Sequence, residues 1–590
     1  MPAAPGAAAI HYLIDASDTH AHLYRVTLTV ARPAAQQELA LPVWIPGSYL
    51  VREFAKNLQC LRASQGGAEL PVAQLDKHRW RVRCRRGQPL VLHYEVAAYD
   101  RSVRTAWLDA QRGFFNATSL CLRVLGQENA PHALQVARSK AQAGWSLATA
   151  LPPLKAGKNG FGSYRAPGYD TLADCPVELG AFQSYRFKAA GVEHRLVVAG
   201  AAPSFDSARL LADMQRICSA AIAFWHGPGG RPPFERYLFL LNVVDDGYGG
   251  LEHAGSTALI CARRDLPRLG QSDQEIQASD GYTTLLGLIS HEYFHAWNVK
   301  RLRPAELARY DYDRENYTEL LWFFEGFTSY YDDLLLRRAG LIDDGAYLKL
   351  LAKTANQVLQ TPGRQVHSVA QASFDAWVKY YRQDENTPNA TVSYYTKGAL
   401  VALCLDLALR RAGRATLDDV LRALWQASGG GPITEADVRA CLKSASGRDW
   451  APELAQWVHG TDDLPLAELL AAHGVQLHAE PAQPAQRLGL RMDAGMRVKL
   501  VLRASAAEQA GMMAGDEWLA LEVDGAAWRL QQIDDVPLYA GAAAQATALV
   551  ARDRRLLRLP LALPPAAASG DTVRLQVRDA ALAQRWLAGQ

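Results

Sequence analysis

Two histidines separated by three residues stand in the stretch HEYFH, residues 291–295. On a helix, residues four apart share a face, so His291 and His295 can bind one zinc ion. Glu292 would then lie beside the activated water and could accept its proton. The spacing therefore predicts a hydrolytic zinc centre. Two histidines on a packed or solvated helix face are the alternative interpretation.

A third protein ligand is expected further along the chain. Glu325 stands in the apolar run WFFEGF, and a carboxylate buried among aromatic rings is costly unless it is paired or bound to metal. We therefore expect His291, His295 and Glu325 to hold one Zn²⁺ per chain, with an open water position. Glu319 is the alternative ligand, and an ion pair with an arginine is the alternative role for Glu325.

Helices are expected to position these residues. Apolar spacing predicts a helix over GYTTLLGLISHEYFHAWN, with Leu285, Leu286, Leu288 and Ile289 on its buried side. It also predicts helices within YTELLWFFEGFTSYYDDLLLRRAG and TKGALVALCLDLALRRAG, which end just before Gly340 and Gly413. Thr416 and Thr434 are expected to cap the helices that come next.

Strand-like runs occupy the two ends of the chain. Between about residues 10 and 165, runs rich in Val, Leu, Tyr and Trp predict a sandwich. They are LYRVTLTV, ELALPVWI, HRWRVRC and PLVLHYEVAAY. Similar runs return near the C-terminus as RVKLVL, EWLALEV and TVRLQV, after a predicted linker at residues 479–486.

Length and composition narrow the class of protein. A chain of 590 residues suggests three or four domains, and 63 Lys+Arg against 60 Asp+Glu argues against a nucleic-acid-coating protein. No apolar run is long enough for a membrane span, and the N-terminus lacks a signal-peptide pattern. The eight cysteines show no CxxC spacing. These features predict a cytoplasmic protein without nucleic-acid or membrane partners.

The segment HEYFHAWNVKRLRP followed by WFFEGFTSYY resembles the M61 family of metallopeptidases, the glycyl aminopeptidases, and more distantly the M1 aminopeptidases. PVWIPGSYLVREFAKNL and RGFFNATSLCLRV are similar to the M61 N-terminal domain. The segment between His295 and Glu325 is longer than in M1. Many zinc peptidases of this clan carry an acidic residue where this chain has Ser329, so Asp332 and Asp333 are considered as replacements.

Two shorter motifs add expected site residues. The stretch YGGLEH resembles the M1 exopeptidase motif GxMEN, which implies that Glu252, with Gly249 and Gly250, binds the substrate's free α-amino group. The stretch YTKG resembles the M1 Y-x-K-G motif, which implies that Tyr395, or the adjacent Tyr394, stabilises the oxyanion. An ordinary strand turn and a core tyrosine are the alternatives.

Near the C-terminus, Leu488-Gly489-Leu490 followed by ASAAEQAGMMAGDEWLALEVDG resembles a PDZ domain. A PDZ domain takes a peptide C-terminus as an added strand, so such a peptide is a possible partner. A PDZ fold used only for packing or dimerisation is the alternative.

Together these resemblances imply a multidomain α+β protein. Residues 1–168 would form an N-terminal β-sandwich, 169–474 a thermolysin-like, mainly helical zinc-peptidase domain, and 475–590 a PDZ-like domain. The implied activity is removal of N-terminal Gly or Ala from peptides with a free N-terminus, using zinc and Glu292 as general base. A PDZ-guided zinc endopeptidase and a catalytically silent zinc-containing peptide-binding protein are the alternatives.

Overall fold

The structure is a computed structural model that describes residues 9–139, 142–565 and 569–589. The chain divides into two compact units. The first comprises Met1–Asn316 with Gly430–Pro432, and the second comprises Tyr317–Gly429 with Ile433–Gln590. The protein is a mixed α/β chain with a β-rich N-terminal region and a helical region. The domain boundaries proposed from the sequence remain a prediction.

The first unit begins with a β-rich region. Its large sheet contains, in spatial order, Pro153–Ala156, Gly162–Ala166, His132–Ala137, Ile10–Asp18, Leu23–Val30, Leu90–Ala97, Leu58–Gln65 and Ala68–Leu70. One smaller sheet contains Ser146–Thr149, Val177–Gly180, Arg112–Phe115 and Ala106–Leu108. Another contains Arg123–Val124, Gln36–Ala40, Arg79–Arg83 and Val72–Gln74. Ile10, Tyr12 and Ile14 are fully buried, because every second side chain of a strand lies on the same face of the sheet. The run ELALPVWI is a strand only up to Ala40, shortly before Pro42.

A further, five-stranded sheet of the same unit carries the segment that resembles GxMEN. Its strands are, in order, Gln183–Ala189, Val192–Ala199, Arg236–Val244, Ser256–Ala262 and Gly249–Glu252. The last of these, here named the edge strand, runs antiparallel to Ser256–Ala262. The α-helices of this unit are Ala117–Leu120, Tyr169–Ala173, Ser207–His226, Asp273–Gln277 and Asp280–Phe294, and its 3₁₀ turns are Phe54–Asn57, Arg263–Asp265 and Ala305–Leu307.

The second unit is helical up to residue 472. Its α-helices there are Leu321–Arg338, Asp344–Leu359, Val369–Phe374, Thr387–Ala390, Tyr394–Ala412, Leu417–Ser428, Glu435–Ser446, Ala451–Trp457 and Leu466–Ala472, with 3₁₀ turns at Pro362–Gln365 and Asp375–Trp377. Thr416 and Thr434 cap their helices, as predicted, and each also forms a capping box. The helix predicted to begin near Tyr317 begins at Leu321, and in its first turn the Trp322 N–H donates to Ser373 Oγ at 2.9 Å.

The rest of the second unit is mainly β. Its strands are Val475–Pro481, Leu490–Met492, Val498–Val501, Glu517–Val523, Ala526–Arg529, Gln545–Arg552, Arg555–Ala562 and Ser569–Val577, and its helices are Pro484–Leu488, Ala506–Gln509, Asp535–Ala540 and Ala580–Leu587. The predicted linker at residues 479–486 is wrong. Val475–Pro481 pairs with Ser569–Val577, and a helix begins at Pro484. The PDZ identity of this region remains a prediction.

This C-terminal region contacts the helices of its own unit. The Asn389 side chain donates to Val501 O at 2.9 Å and accepts from the Arg503 N–H at 2.8 Å. Trp586 in the last helix donates to Tyr330 Oη at 2.9 Å. Among the described residues, no helix combines the length and the apolar character that a bilayer span needs.

Candidate functional site

The helix Asp280–Phe294, here named the histidine helix, carries the HEYFH stretch. Ser279 caps its start by accepting from the Tyr282 N–H. The helix ends one residue before His295, which keeps helical dihedrals of −61° and −18°. The two histidines therefore stay on one face. The predicted apolar side, Leu285, Leu286, Leu288 and Ile289, is buried.

The two imidazoles face each other through their Nε2 atoms, which are 3.0 Å apart. His295 Nδ1 lies 2.7 Å from Asn298 O. Because a carbonyl only accepts hydrogen bonds, Nδ1 of the neutral ring carries the proton and Nε2 carries the lone pair. Such an orienting bond is typical of a metal-ligating histidine.

The Glu292 carboxylate is buried beside the edge strand. A Cβ built on Gly250 would lie 2.0 Å from Glu292 Oε1 and 2.3 Å from Cδ. Only a glycine lets the strand approach the carboxylate this closely. Gly250 thus adjoins the expected catalytic base, whereas the Cβ position of Gly249 lies 3.7 Å from Arg104 Nη1.

Glu252 follows two residues later on the same strand. Because side chains alternate across a strand, Glu252 points to the same side as the Gly250–Glu292 contact, about 6.6 Å further along. Its carboxylate contacts Gly47, where a Cβ would stand 2.5 Å from Oε1. Glu252 is 4% exposed, and the described residues give its carboxylate neither a hydrogen bond nor an ion pair.

A buried charge network supports this end of the edge strand. Lys300 Nζ lies 2.6 Å from Asp174 Oδ1, and His253 Nδ1 lies 3.2 Å from the same oxygen. Burial alone would lower the pKa of Lys300, but the Asp174 carboxylate raises it to about 12. Lys300 is thus a permanent cation, and its charge is matched by Asp174 and felt by Glu252.

In the second unit, Glu325 lies on the helix Leu321–Arg338, here named the glutamate helix. It is 2% exposed. This helix crosses the helix Tyr394–Ala412, the tyrosine helix, at two glycines. A Cβ on Gly326 would lie 2.5 Å from Gly398 Cα, and a Cβ on Gly398 would lie 2.5 Å from Trp322 O. The EGF and YTKG stretches therefore meet by backbone contact.

Tyr395 lies at the start of the tyrosine helix, which Ser393 caps. Burial raises the pKa of Tyr395 well above its usual value, and the charge of Glu325 raises it further. The phenol therefore keeps its proton. Tyr394 stacks on Tyr395 with ring centroids 4.7 Å apart, but Tyr394 is fully buried whereas Tyr395 is partly exposed.

The candidate ligand atoms of His291, His295 and Glu325 all lie within 4.8 Å of one another. Two imidazole nitrogens and one carboxylate oxygen are the donor set of catalytic zinc sites that keep an open position. The residues present therefore fit zinc. Glu319, the alternative ligand, is exposed and precedes the glutamate helix. The roles of these residues remain predictions.

Comparisons with known proteins identify the family. The family model described as M61 glycyl aminopeptidase matches residues 284–401, and that of the Peptidase M61 N-terminal domain matches residues 11–181. A crystal structure of an aminopeptidase N family protein from Idiomarina loihiensis is 37% identical, with a TM-score of 0.91, and the match covers 98% of this chain and 100% of that one. The chain belongs to the M61 glycyl aminopeptidase family.

This M61 chain is accordingly an aminopeptidase-like metallopeptidase. Its match to an M1 zinc metallopeptidase mutant from Deinococcus radiodurans bound to a Tyr-Ser-Ala substrate has 15% identity and a TM-score of 0.46, over 78% of this chain and 94% of that one. The structure of the same mutant without that substrate has 16% identity and a TM-score of 0.47, and the match covers 78% of this chain and 94% of that one. Likenesses at this level support no inference about the site. No curated protein matches the M61 chain.

Sequence reasoning missed several residues around the site of this M61 protein. They are Gly47 against Glu252, Arg104 at the edge strand, Asp174 and Lys300 beside it, and Asn298 behind His295. Asn298 is three residues from His295, so helix-end geometry could have suggested it. The others are brought in by contacts far apart along the chain and carry no local signal.

Proposed function

We propose that the protein is a zinc-dependent aminopeptidase that removes small N-terminal residues, Gly or Ala, from peptides. The convergence of His291, His295 and Glu325 within 4.8 Å carries the proposal. These three residues would hold one Zn²⁺. When bound, zinc would polarise the scissile carbonyl and lower the pKa of a water molecule to near neutrality. The family description, glycyl aminopeptidase, supports the preference for a small N-terminal residue.

Glu292 acts as the general base. Its carboxylate is held against the Gly250 backbone, next to the edge where an extended peptide can bind. It takes the proton of the attacking water and later gives it to the leaving amine, which is the usual division of work for a single carboxylate. Burial and close packing fix the position of the Glu292 carboxylate, which forms no covalent bond with the substrate.

Tyr395 donates a hydrogen bond to the carbonyl oxygen as negative charge develops there. The raised pKa of Tyr395, due to burial and then to the charge of Glu325, keeps this donor protonated across the working pH range. Its partial exposure supports Tyr395 over the fully buried Tyr394 for this role.

Glu252 holds the substrate's α-ammonium group. Its carboxylate is 4% exposed and has no hydrogen bond or ion pair among the described residues. The charge of Lys300 acts on it without direct contact, so a ligand ammonium group can supply the close partner that a buried carboxylate needs. The Gly47 backbone closes the space beside it, and the cavity left there is about 10 Å³, enough for no more than one water. A chain extending beyond the N-terminal residue has no room on that side, which supports an exopeptidase.

The proposal is tested by Glu292→Gln, which keeps size and hydrogen bonding but removes the base. We expect turnover of a free-amine alanine substrate to fall by about 10²- to 10⁴-fold. Zinc content and the unfolding midpoint should match the wild type. Full activity in this variant would exclude Glu292 as the base.

A further inference from the structure

The edge strand has an outer backbone edge beside Glu292 with which no further described strand pairs. Within the part of the chain that the structure describes, Gly249–Glu252 pairs only with Ser256–Ala262 and stands last in its sheet. The outer side of such a strand can accept an extended peptide by main-chain hydrogen bonds. The side chains that reach this outer side are therefore candidates for substrate contact.

Arg104 reaches it from the β-rich region. Its Nη2 donates to Gly250 O at 3.0 Å, and Nη1 lies 3.7 Å from the Cβ position of Gly249. The Arg104 Nε is buried and has no hydrogen-bond partner among the described residues, which also give the guanidinium no carboxylate partner. A half-buried guanidinium without a counter-charge is poorly stabilised unless an anion binds to it.

The loop that carries Arg104 is well anchored. The Arg104 N–H donates to Ser102 Oγ at 3.2 Å, and the fully buried Asn116 donates to Val103 O at 2.8 Å. Thr105 Oγ1 donates to Asp100 O at 3.2 Å. These bonds hold the backbone on both sides of Arg104, so little conformational freedom would be lost when its side chain binds a ligand.

The direction of a bound substrate follows from the proposed roles of Glu252 and Glu292. With its ammonium group at Glu252 and its scissile bond at Glu292, the peptide runs from Glu252 towards Gly249. Arg104 then meets the residue after the scissile bond. In a dipeptide, that residue ends in a carboxylate.

The backbone spacing between Glu252 and Gly250, whose carbonyl oxygen Arg104 contacts, is close to the length of an extended dipeptide. Glu252 and Gly250 lie about 6.6 Å apart along the strand, and an extended dipeptide spans about 7 Å. An arginine fork binds a carboxylate through two parallel hydrogen bonds, whereas an amide would offer it one neutral acceptor.

We propose that Arg104 binds the C-terminal carboxylate of dipeptides, so that the site selects short zwitterionic peptides over amidated ones. This inference rests on the proposed function, because it takes Glu252 and Glu292 as the other two contacts. It adds a residue from the β-rich region that determines specificity on the leaving side of the bond.

Binding can be measured without turnover in the Glu292→Gln protein. Titration calorimetry would compare Ala-Ala with Ala-Ala amide. We expect the dipeptide to bind about 10- to 100-fold more tightly, the range for a charge-assisted hydrogen-bond pair. Adding Arg104→Met should bring the two affinities to within a few-fold, and Arg104→Lys should retain part of the preference.

Arg101→Met is the matched control, because Arg101 is exposed and stacks over Trp107 at 4.8 Å. It should keep the full preference. Equal binding of the two peptides, or the same preference with Arg104→Met, would overturn the inference. Failure of the wild type to hydrolyse either peptide would instead contradict the proposed function, while the binding ratio would still decide the role of Arg104.

Discussion

The backbone of Gly250 lies against the carboxylate of Glu292, so close that a Cβ at position 250 would stand 2.0 Å from Oε1. The edge strand and the histidine helix therefore pack directly against each other at the expected base. Any side chain at position 250 must push the carboxylate away or move the strand.

Gly250→Ala should accordingly lower kcat without unfolding the protein. A displacement of about 1 Å at a catalytic group can cost roughly 10²-fold in rate. Gly255→Ala is the control, since a Cβ there meets no atom within 4 Å. Steady-state kinetics and zinc content should be compared for both. Wild-type kcat in Gly250→Ala would show that the Glu292 position is not critical.

Gly47→Ala tests the wall behind Glu252. Its Cβ would lie 2.5 Å from Glu252 Oε1, and the backbone at φ +92° disfavours any side chain. Gly67→Ala has a similar φ of +83° but no neighbour within 4 Å, so it isolates the backbone strain of about 1–2 kcal/mol. We expect Gly47→Ala alone to raise KM for free-amine substrates. Equal KM values in the two variants would show that Gly47 does not affect substrate binding.

Glu325→Ala should lose the metal, because the two histidines alone bind zinc weakly. Glu319→Ala should retain about one zinc per chain, since Glu319 is exposed and lies before the glutamate helix. Zinc is measured by elemental analysis after dialysis against metal-free buffer. Unchanged zinc in Glu325→Ala, with loss in Glu319→Ala, would reverse the assignment.

The stability of the protein should decrease between pH 6.5 and 4 because of His194. This fully buried ring contacts Tyr293 Oη at 2.8 Å, under the histidine helix, and burial lowers its pKa to about 4. Well above pH 6.5, the ordinary pKa of histidine, the ring is neutral in both the folded and the unfolded chain, so its contribution to stability is constant. As the pH falls, the unfolded chain takes up a proton that the folded chain refuses, which costs about 3 kcal/mol by pH 4.

Urea unfolding of wild type, His194→Gln and His20→Gln at several pH values checks this. His20 is exposed, so its variant should keep the wild-type slope. His194→Gln should show a shallower loss of unfolding free energy below pH 6.5. Parallel pH profiles for the wild type and His194→Gln would show that His194 does not titrate as its burial implies.

Local sequence patterns predicted the helices of the site well. The spacing of Leu285, Leu286, Leu288 and Ile289 predicted the buried side of the histidine helix, and Thr416 predicted a cap. Both signals lie within a few turns of one helix. The strand Val475–Pro481, mistaken for part of a linker, pairs with a strand about a hundred residues later, and its Pro and Ala content gave no hint of that partner.

The surroundings of the site were the least predictable part. Arg104 and Gly250 are 146 residues apart in the sequence, and Gly47 and Glu252 are 205 residues apart. An isolated arginine in a loop and a glycine in a turn look like many others in the sequence. Their significance appears only when folding brings them to the edge strand.

The most direct test of the proposed aminopeptidase uses two chromogenic alanine substrates, one with a free amino terminus and one acetylated. Each is assayed with the wild-type protein, with a chelator, and after zinc is restored. We predict cleavage of the free form only, lost with the chelator and regained with zinc. Comparable cleavage of the acetylated form, or cleavage of the free form that the chelator does not affect, would contradict it.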